Sequence, residues 1–213
     1  MIKHGESTGD RKPMLDRIQD NLRHNLDRVE SLVSTYESHP DAQGAGRKSV
    51  TVLDILRAAV VLLHASLEDV LRSVARWRLP AAPAPVLNEI PLVGHGPNPK
   101  KFLLGDLAAY RGRTVDDLFE ESVRAHLEHS NYNNTGEVSA LLTSVGIDPA
   151  SVCATFPELQ ALMERRHQIV HRADRQETVS GSGDHEVRGI NKQTVREWAA
   201  AVNRFASELF AQL

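Results

Sequence analysis

In the last third of this 213-residue chain stand Arg166-His167-Gln168-Ile169-Val170-His171, followed closely by Arg172 and Asp174. Arginine and histidine so near one another make a small chemical kit. A guanidinium keeps its charge at any physiological pH and offers a planar fork that matches two phosphate oxygens. An imidazole moves protons near neutral pH, and a neighbouring carboxylate can orient it. Such a set can cleave RNA without a metal: the histidine takes the 2′-hydroxyl proton and the arginine steadies the crowded phosphate.

Projection onto a helix sharpens the point. At about 100° per residue from Pro157 onward, Leu159, Leu162, Met163, Ile169, Val170 and Ala173 share one arc, the expected core face, and Arg166 falls in its middle. A lone charge in an apolar stripe is costly. Arg166 therefore asks for an anionic partner or for a cleft that receives an anion. His167, His171 and Asp174 lie on the flank, four and three residues apart, so they can be neighbours on one edge. The purely structural reading is an arginine paired with a glutamate from another helix and histidines that cap carbonyls. Spacing alone leaves both readings open.

Other residues bear on the same edge. His64, Glu68 and Arg72 form a row with four-residue steps; Glu68 would pair with Arg166 and hold it for phosphate, or the row is an ordinary surface salt-bridge ladder. Arg165, Arg172 and Arg175 make a local basic cluster for an RNA backbone, or a solvated helix face. Lys100 and Lys101 are a weaker version of that cluster. His126 and His129 are three apart, but nothing completes a ligand set around them, and surface histidines are expected. Cys153, between Val152 and Phe156, is expected to be a small core residue rather than a nucleophile. No HExxH, Walker loop, GxGxxG or GxSxG occurs, so neither metal nor cofactor is expected.

These residues need elements to hold them. Hydrophobic residues make up 41% of the chain but aromatics only 5%, which favours a Leu, Val and Ala core and helices over strands. The net charge of −3 confines any polyanion binding to a local patch. A single cysteine excludes an intrachain disulfide. The N-terminus MIKHGESTGDRKP lacks a signal-like apolar region, and the longest apolar run, Ala58 to Leu63, is too short to span a bilayer. A reduced, soluble, cytoplasmic protein without a membrane partner is expected.

Periodicity predicts a helix from Pro13 to about Glu37, with Leu15, Ile18, Leu22, Leu26, Val29, Leu32 and Val33 inward. A second spans Val52 to Arg78, with Leu56, Val60, Leu63, Leu67, Val70, Val74 and Trp77 inward, and the two read as a hairpin. Residues 80–100 form a Pro-rich insertion. Shorter helices are predicted at about 101–110, 114–130 and 135–146, with starts at Thr114 and Asp148. The Arg166 helix runs from Pro157 to about Arg172, a flexible loop covers 176–190, and a last helix spans Asn191 to Phe210. The expectation is an all-α, up-and-down helical bundle in one domain, residues 1–213.

Arg166 and His171 fit the R-x(4–6)-H signature of the HEPN superfamily, and Glu158 to Asp174 resembles the motif helix of its RiboL-PSP-like members. Leu63 to Arg72 is similar to their earlier long helix. The resemblance implies a four- to five-helix bundle that forms a homodimer through the motif helix. In such dimers the two motifs meet as a metal-independent endoribonuclease site leaving 2′,3′-cyclic phosphate. Arg166 and His171 would be the catalytic pair and His167 a supporting polar residue; the spacing read above adds His64, Glu68 and Asp174 as supporting residues. A toxin, stress or phage-defence role, with an antitoxin or defence-system partner, goes with that reading. Some members are non-catalytic, so an alternative is a protein-interaction or RNA-binding module. Ala173 stands two residues after His171, where family members regulated by nucleotide transfer carry a tyrosine. A helical DNA-binding regulator is disfavoured by the acidic balance.

Overall fold

Two long amphipathic stretches close the core. The computed structural model describes residues 8–43, 48–94, 104–174 and 189–213. α1 (Thr8–Ser38) and α2 (Val50–Arg78) form the predicted hairpin, the most extensive helix–helix contact of the fold. Along α1, Ile18, Leu22, Val29 and Val33 are buried, and Tyr36 joins them. α1 begins five residues before Pro13. A proline this close to a helix start removes only one intrahelical bond.

α2 starts where the Ser49 hydroxyl accepts from the Val52 N–H. It is the central pillar, packing against α1, α4 (Val115–Glu128), α5 (Thr135–Ser144), α6 (Phe156–Arg172) and α7 (Lys192–Phe210). Of its expected stripe, Leu56, Val60, Leu63, Leu67, Val70 and Val74 are buried and Trp77 is partly buried. By length and composition α2 is apolar enough to cross a bilayer, as core helices of many bundles are, and half of that apolar window is buried in the bundle.

The Pro-rich insertion is built into the structure as far as Gly94. A 3₁₀ turn at Leu79–Ala81 leads to α3, the single-turn helix Ala84–Leu87. The Tyr110 hydroxyl then donates to the Val93 carbonyl, and the Ser122 hydroxyl of α4 accepts from the Val93 N–H at 3.0 Å. The rest of the insertion, the start of the helix expected at 101–110, and residues 176–188 of the loop expected at 176–190 lie outside the described residues. Leu104–Tyr110 is a 3₁₀ helix rather than an α-helix.

Thr114 caps α4 in a reciprocal capping box with Asp117, and Asn134 caps α5. Asp148 caps a 3₁₀ turn, Pro149–Ser151, not an α-helix. α6 (Phe156–Arg172) carries Pro157 in its first turn, and Asn191 caps α7 (Lys192–Phe210). Val195, Val202, Phe205 and Leu209 of α7 are buried, with Trp198 and Phe210 packed at the core margin. Arg196 of α7 reaches Glu30 and Glu37 of α1; with Lys192 it holds the Glu37 carboxyl at about 2. The described residues contain no strand, so the fold is all-α. One expectation fails here. Cys153 is exposed, because the core side of its short turn is taken by buried Val152 and Thr155.

Candidate functional site

α6 carries the Arg–His edge, and the way it ends decides which arginine is buried. Its last residues pass into a turn in which Ala173 and Asp174 both take left-handed backbone, φ 47° and 58°. The Asp174 N–H donates back to the Gln168 carbonyl at 3.1 Å, closing the helix end. This reversal carries the Asp174 side chain into the bundle, where it is 1% exposed. Its Oδ2 accepts from Arg57 Nε of α2 at 2.7 Å and from Arg165 Nη2 of α6 at 2.6 Å. Arg57 also donates to Asp54 at 2.8 Å, and Arg165 to the Gly189 carbonyl at 3.2 Å.

The buried arginine is therefore Arg165, at 6% exposure, not Arg166. The predicted arc holds for the first turns, where Leu159, Leu162 and Met163 are buried. It then leaves the core: Ile169 is partly buried, Val170 is 48% exposed and Ala173 is exposed. Arg166 sits at this margin, half-buried. Arg165, about 100° round the helix, is drawn in because Asp174 and Arg57 meet it there.

Arg166 differs from its neighbour in its contacts. No carboxylate among the described residues pairs with it, and its buried Nε has no hydrogen-bond partner. Its charge lies close to His64. His167 and His171 are both exposed, with ring centroids 4.6 Å apart and planes tilted by 42°. Of the expected edge, the structure brings His167 and His171 together, while Arg166, just before them on the same helix, turns toward His64 of α2. Asp174 is not part of it, since its carboxylate is spent on two arginines inside the bundle.

α2 supplies the floor. Arg57, His64, Glu68 and Arg72, spaced by seven, four and four, fall within one arc of that helix. Of the expected alternatives for the row, the Glu68–Arg72 rung of a salt-bridge ladder forms, but with Glu68 and His64 buried rather than at the surface, and no Glu68–Arg166 pair is present. Glu68 is buried and accepts from the Tyr132 N–H at 3.3 Å, while its other oxygen lies 3.5 Å from Arg72. Arg72 also donates to the Ser130 carbonyl at 2.8 Å. His64, 1% exposed, lies with Nε2 3.1 Å from the Tyr132 carbonyl, a bond that requires the proton on Nε2. Burial pushes the His64 pKa below the ordinary histidine value; Arg166 and Arg72 push the same way, and Glu68 and the Tyr132 carbonyl oppose them. Burial also lifts the Tyr132 hydroxyl to about 12. The row thus anchors the loop 130–132 beside the motif helix, and Gln160 of α6 holds its far end by accepting from the Thr135 N–H at 3.1 Å.

Sequence reasoning missed Arg57 and Tyr132. Arg57 had a signal: it extends the His64 row by one heptad. Tyr132 had none, because its partners lie more than sixty residues away.

Of the basic cluster, Arg165 is buried and faces Asp174, so it is not placed to contact RNA. Arg172 is exposed on the last turn of α6. Arg175, Lys100 and Lys101 lie outside the described residues. His126 and His129 are exposed, and the described residues contain no cluster of three metal-binding side chains. Between α2 and α6 runs an open groove of about 620 Å³, walled by Ala58, Val61, Leu62 and Ala65 of α2 and by Ile169 and Ala173 of α6, with the charged pair Asp54 and Arg57 at one end.

With this geometry in place, residues 20–213 match the family model described as RiboL-PSP-HEPN. No curated protein and no solved structure matches the chain at a significant level.

Proposed function

The chain belongs to the RiboL-PSP-HEPN family, and from that premise we propose that it is a homodimeric, metal-independent endoribonuclease. One observation carries this reading. Arg166 is a half-buried guanidinium with no carboxylate upon it among the described residues, and two solvent-facing imidazoles in mutual contact follow it on the same helix. A guanidinium left without a carboxylate suits a phosphate. A non-catalytic scaffold would be better served by Arg166 sealed against an acid, and Glu68, the nearest candidate from sequence, is bound elsewhere.

In the proposed reaction an imidazole of the edge, His171 by the family motif, removes the proton from a ribose 2′-hydroxyl. The 2′-oxygen attacks the adjacent phosphorus while Arg166 neutralises the charge gathering on its oxygens. The P–O5′ bond breaks, the leaving oxygen takes a proton from the imidazolium of the second copy or from water, and a 2′,3′-cyclic phosphate and a 5′-hydroxyl remain.

The groove supports the second copy. Ala58, Val61, Leu62 and Ala65 make a stripe at i, i+3, i+4 and i+7 without a charge, and the alanines permit close helix approach. Val170 on α6 adds exposed apolar surface next to the motif residues. Two such faces brought together about a two-fold axis would bring the two motif helices into one interface. A toxin, stress or phage-defence setting, with an antitoxin or defence-system partner, belongs to the same proposal, since unrestrained RNA cleavage harms its own cell.

Purified protein is expected to cleave RNA in the presence of chelator and to leave cyclic phosphate ends. Arg166→Ala and His171→Ala should each lower the rate by about 10²-fold or more, and expression of the parent, but not of His171→Ala, should slow growth of a host. Variants that cleave as fast as the parent would sink the assignment.

A further inference from the structure

Asp174 is buried, yet it sits three residues beyond His171 on a backbone that side chains disfavour. Two successive left-handed residues, neither of them glycine, persist only where their surroundings hold them. What holds them is visible. A single carboxylate oxygen joins Arg57 of α2 to Arg165 of α6, and the Asp174 N–H closes on the Gln168 carbonyl inside the same turn as the motif. Arg57 is fixed in turn by Asp54. The bonds tie the end of α6 to the pillar helix at the one point where the apolar stripe no longer does so, because Val170 and Ala173 have left the core.

We propose that Asp174 is a positioning residue: by gathering Arg57 and Arg165 it fixes the last turn of α6, and with it the placement of His171 relative to Arg166. The inference rests on the reading of that edge as the catalytic one, but its mechanical part stands apart from it. Asp174 does not touch substrate in this scheme. Its charge acts through two arginines on the geometry of a third residue, and small misplacements of reacting groups are costly.

Asp174→Asn separates the roles. Asparagine keeps the shape and tolerates left-handed backbone better than most residues, so the change removes mainly the charge. Amide hydrogen exchange over residues 168–174 should quicken by about 30-fold or more while the core amides of α1 and α2 stay near the parent. The kcat for RNA cleavage should fall by about 30- to 100-fold with KM within about threefold. Ala173→Gly, which relieves the neighbouring left-handed residue, should recover about tenfold of kcat in the Asp174→Asn background. Should Asp174→Asn fail to fold, Arg57→Lys keeps the charge, loses the planar fork and should show the same pattern more weakly.

Parental exchange at 168–174, or faster exchange there with an unchanged kcat, would overturn the proposal, as would faster exchange spread evenly over the whole chain. A parent that cleaves no RNA, combined with a loosened last turn in the variant, would overturn the ribonuclease reading and leave the mechanical part standing.

Discussion

Arg165 and Arg166 are adjacent in the chain and live in different electrostatic worlds. Arg165 is buried, shares an aspartate oxygen with Arg57 and bonds a carbonyl. Arg166 stands at the core margin with no carboxylate upon it among the described residues, near buried His64, whose pKa is depressed. A hundred degrees of helix separates a charge that holds the fold from one left available for a ligand. Both also satisfy the textual pattern, with five or four residues before His171. Their surroundings make the distinction that the pattern does not.

The comparison is easiest to break by removing each charge in turn. Arg165→Met should cost roughly 3 kcal/mol in urea or thermal unfolding, since it takes one partner from a buried carboxylate. Arg166→Met should cost about 1 kcal/mol or less, as for a residue at the surface, while abolishing most RNA cleavage. Equal stability losses would mean that the two arginines do not divide the labour.

A second variant tests whether Arg166 needs a twin. Ala65→Lys places a charge on the apolar wall of the groove and should convert a dimer to a monomer in sedimentation, with cleavage falling in parallel and helical content unchanged. If the parent sediments as a monomer, or Ala65→Lys leaves a dimer intact, the groove is not the interface.

The smallest effect belongs to His64. Its folded pKa is depressed, so the folded state resists the proton that the unfolded chain accepts near 6.5. Its contribution is full above that value and is lost as pH falls through the folded pKa, with a slope of at most about 1.4 kcal/mol per pH unit. His64→Gln, which keeps an N–H for the Tyr132 carbonyl, should flatten the acid limb of stability against pH by that one proton. An unchanged slope would show that His64 does not resist protonation.

Much of the scaffold was legible because long amphipathic helices announce themselves. The inward residues of α2 and α7, the Thr114 cap and the hairpin all followed from period and capping chemistry. The polar interior did not. A helical projection assumes that the core extends the whole length of the helix, and α6 outruns its core two turns early. That error moved the buried charge by one residue. Nor does a projection foresee a chain that reverses through Ala173 and Asp174 and brings a carboxylate back inside. The loop at 130–132 was hidden for another reason: what fixes it is one row on α2, distant in sequence.

Cys153 has a practical consequence. The chain has one thiol, exposed in the turn that leads into α6. A nitroxide or fluorophore attached there needs no cysteine removed beforehand. In a two-fold assembly it would give two labels and a single distance between them. That distance, followed as RNA is added, reads directly whether the two motif helices move together or stay still.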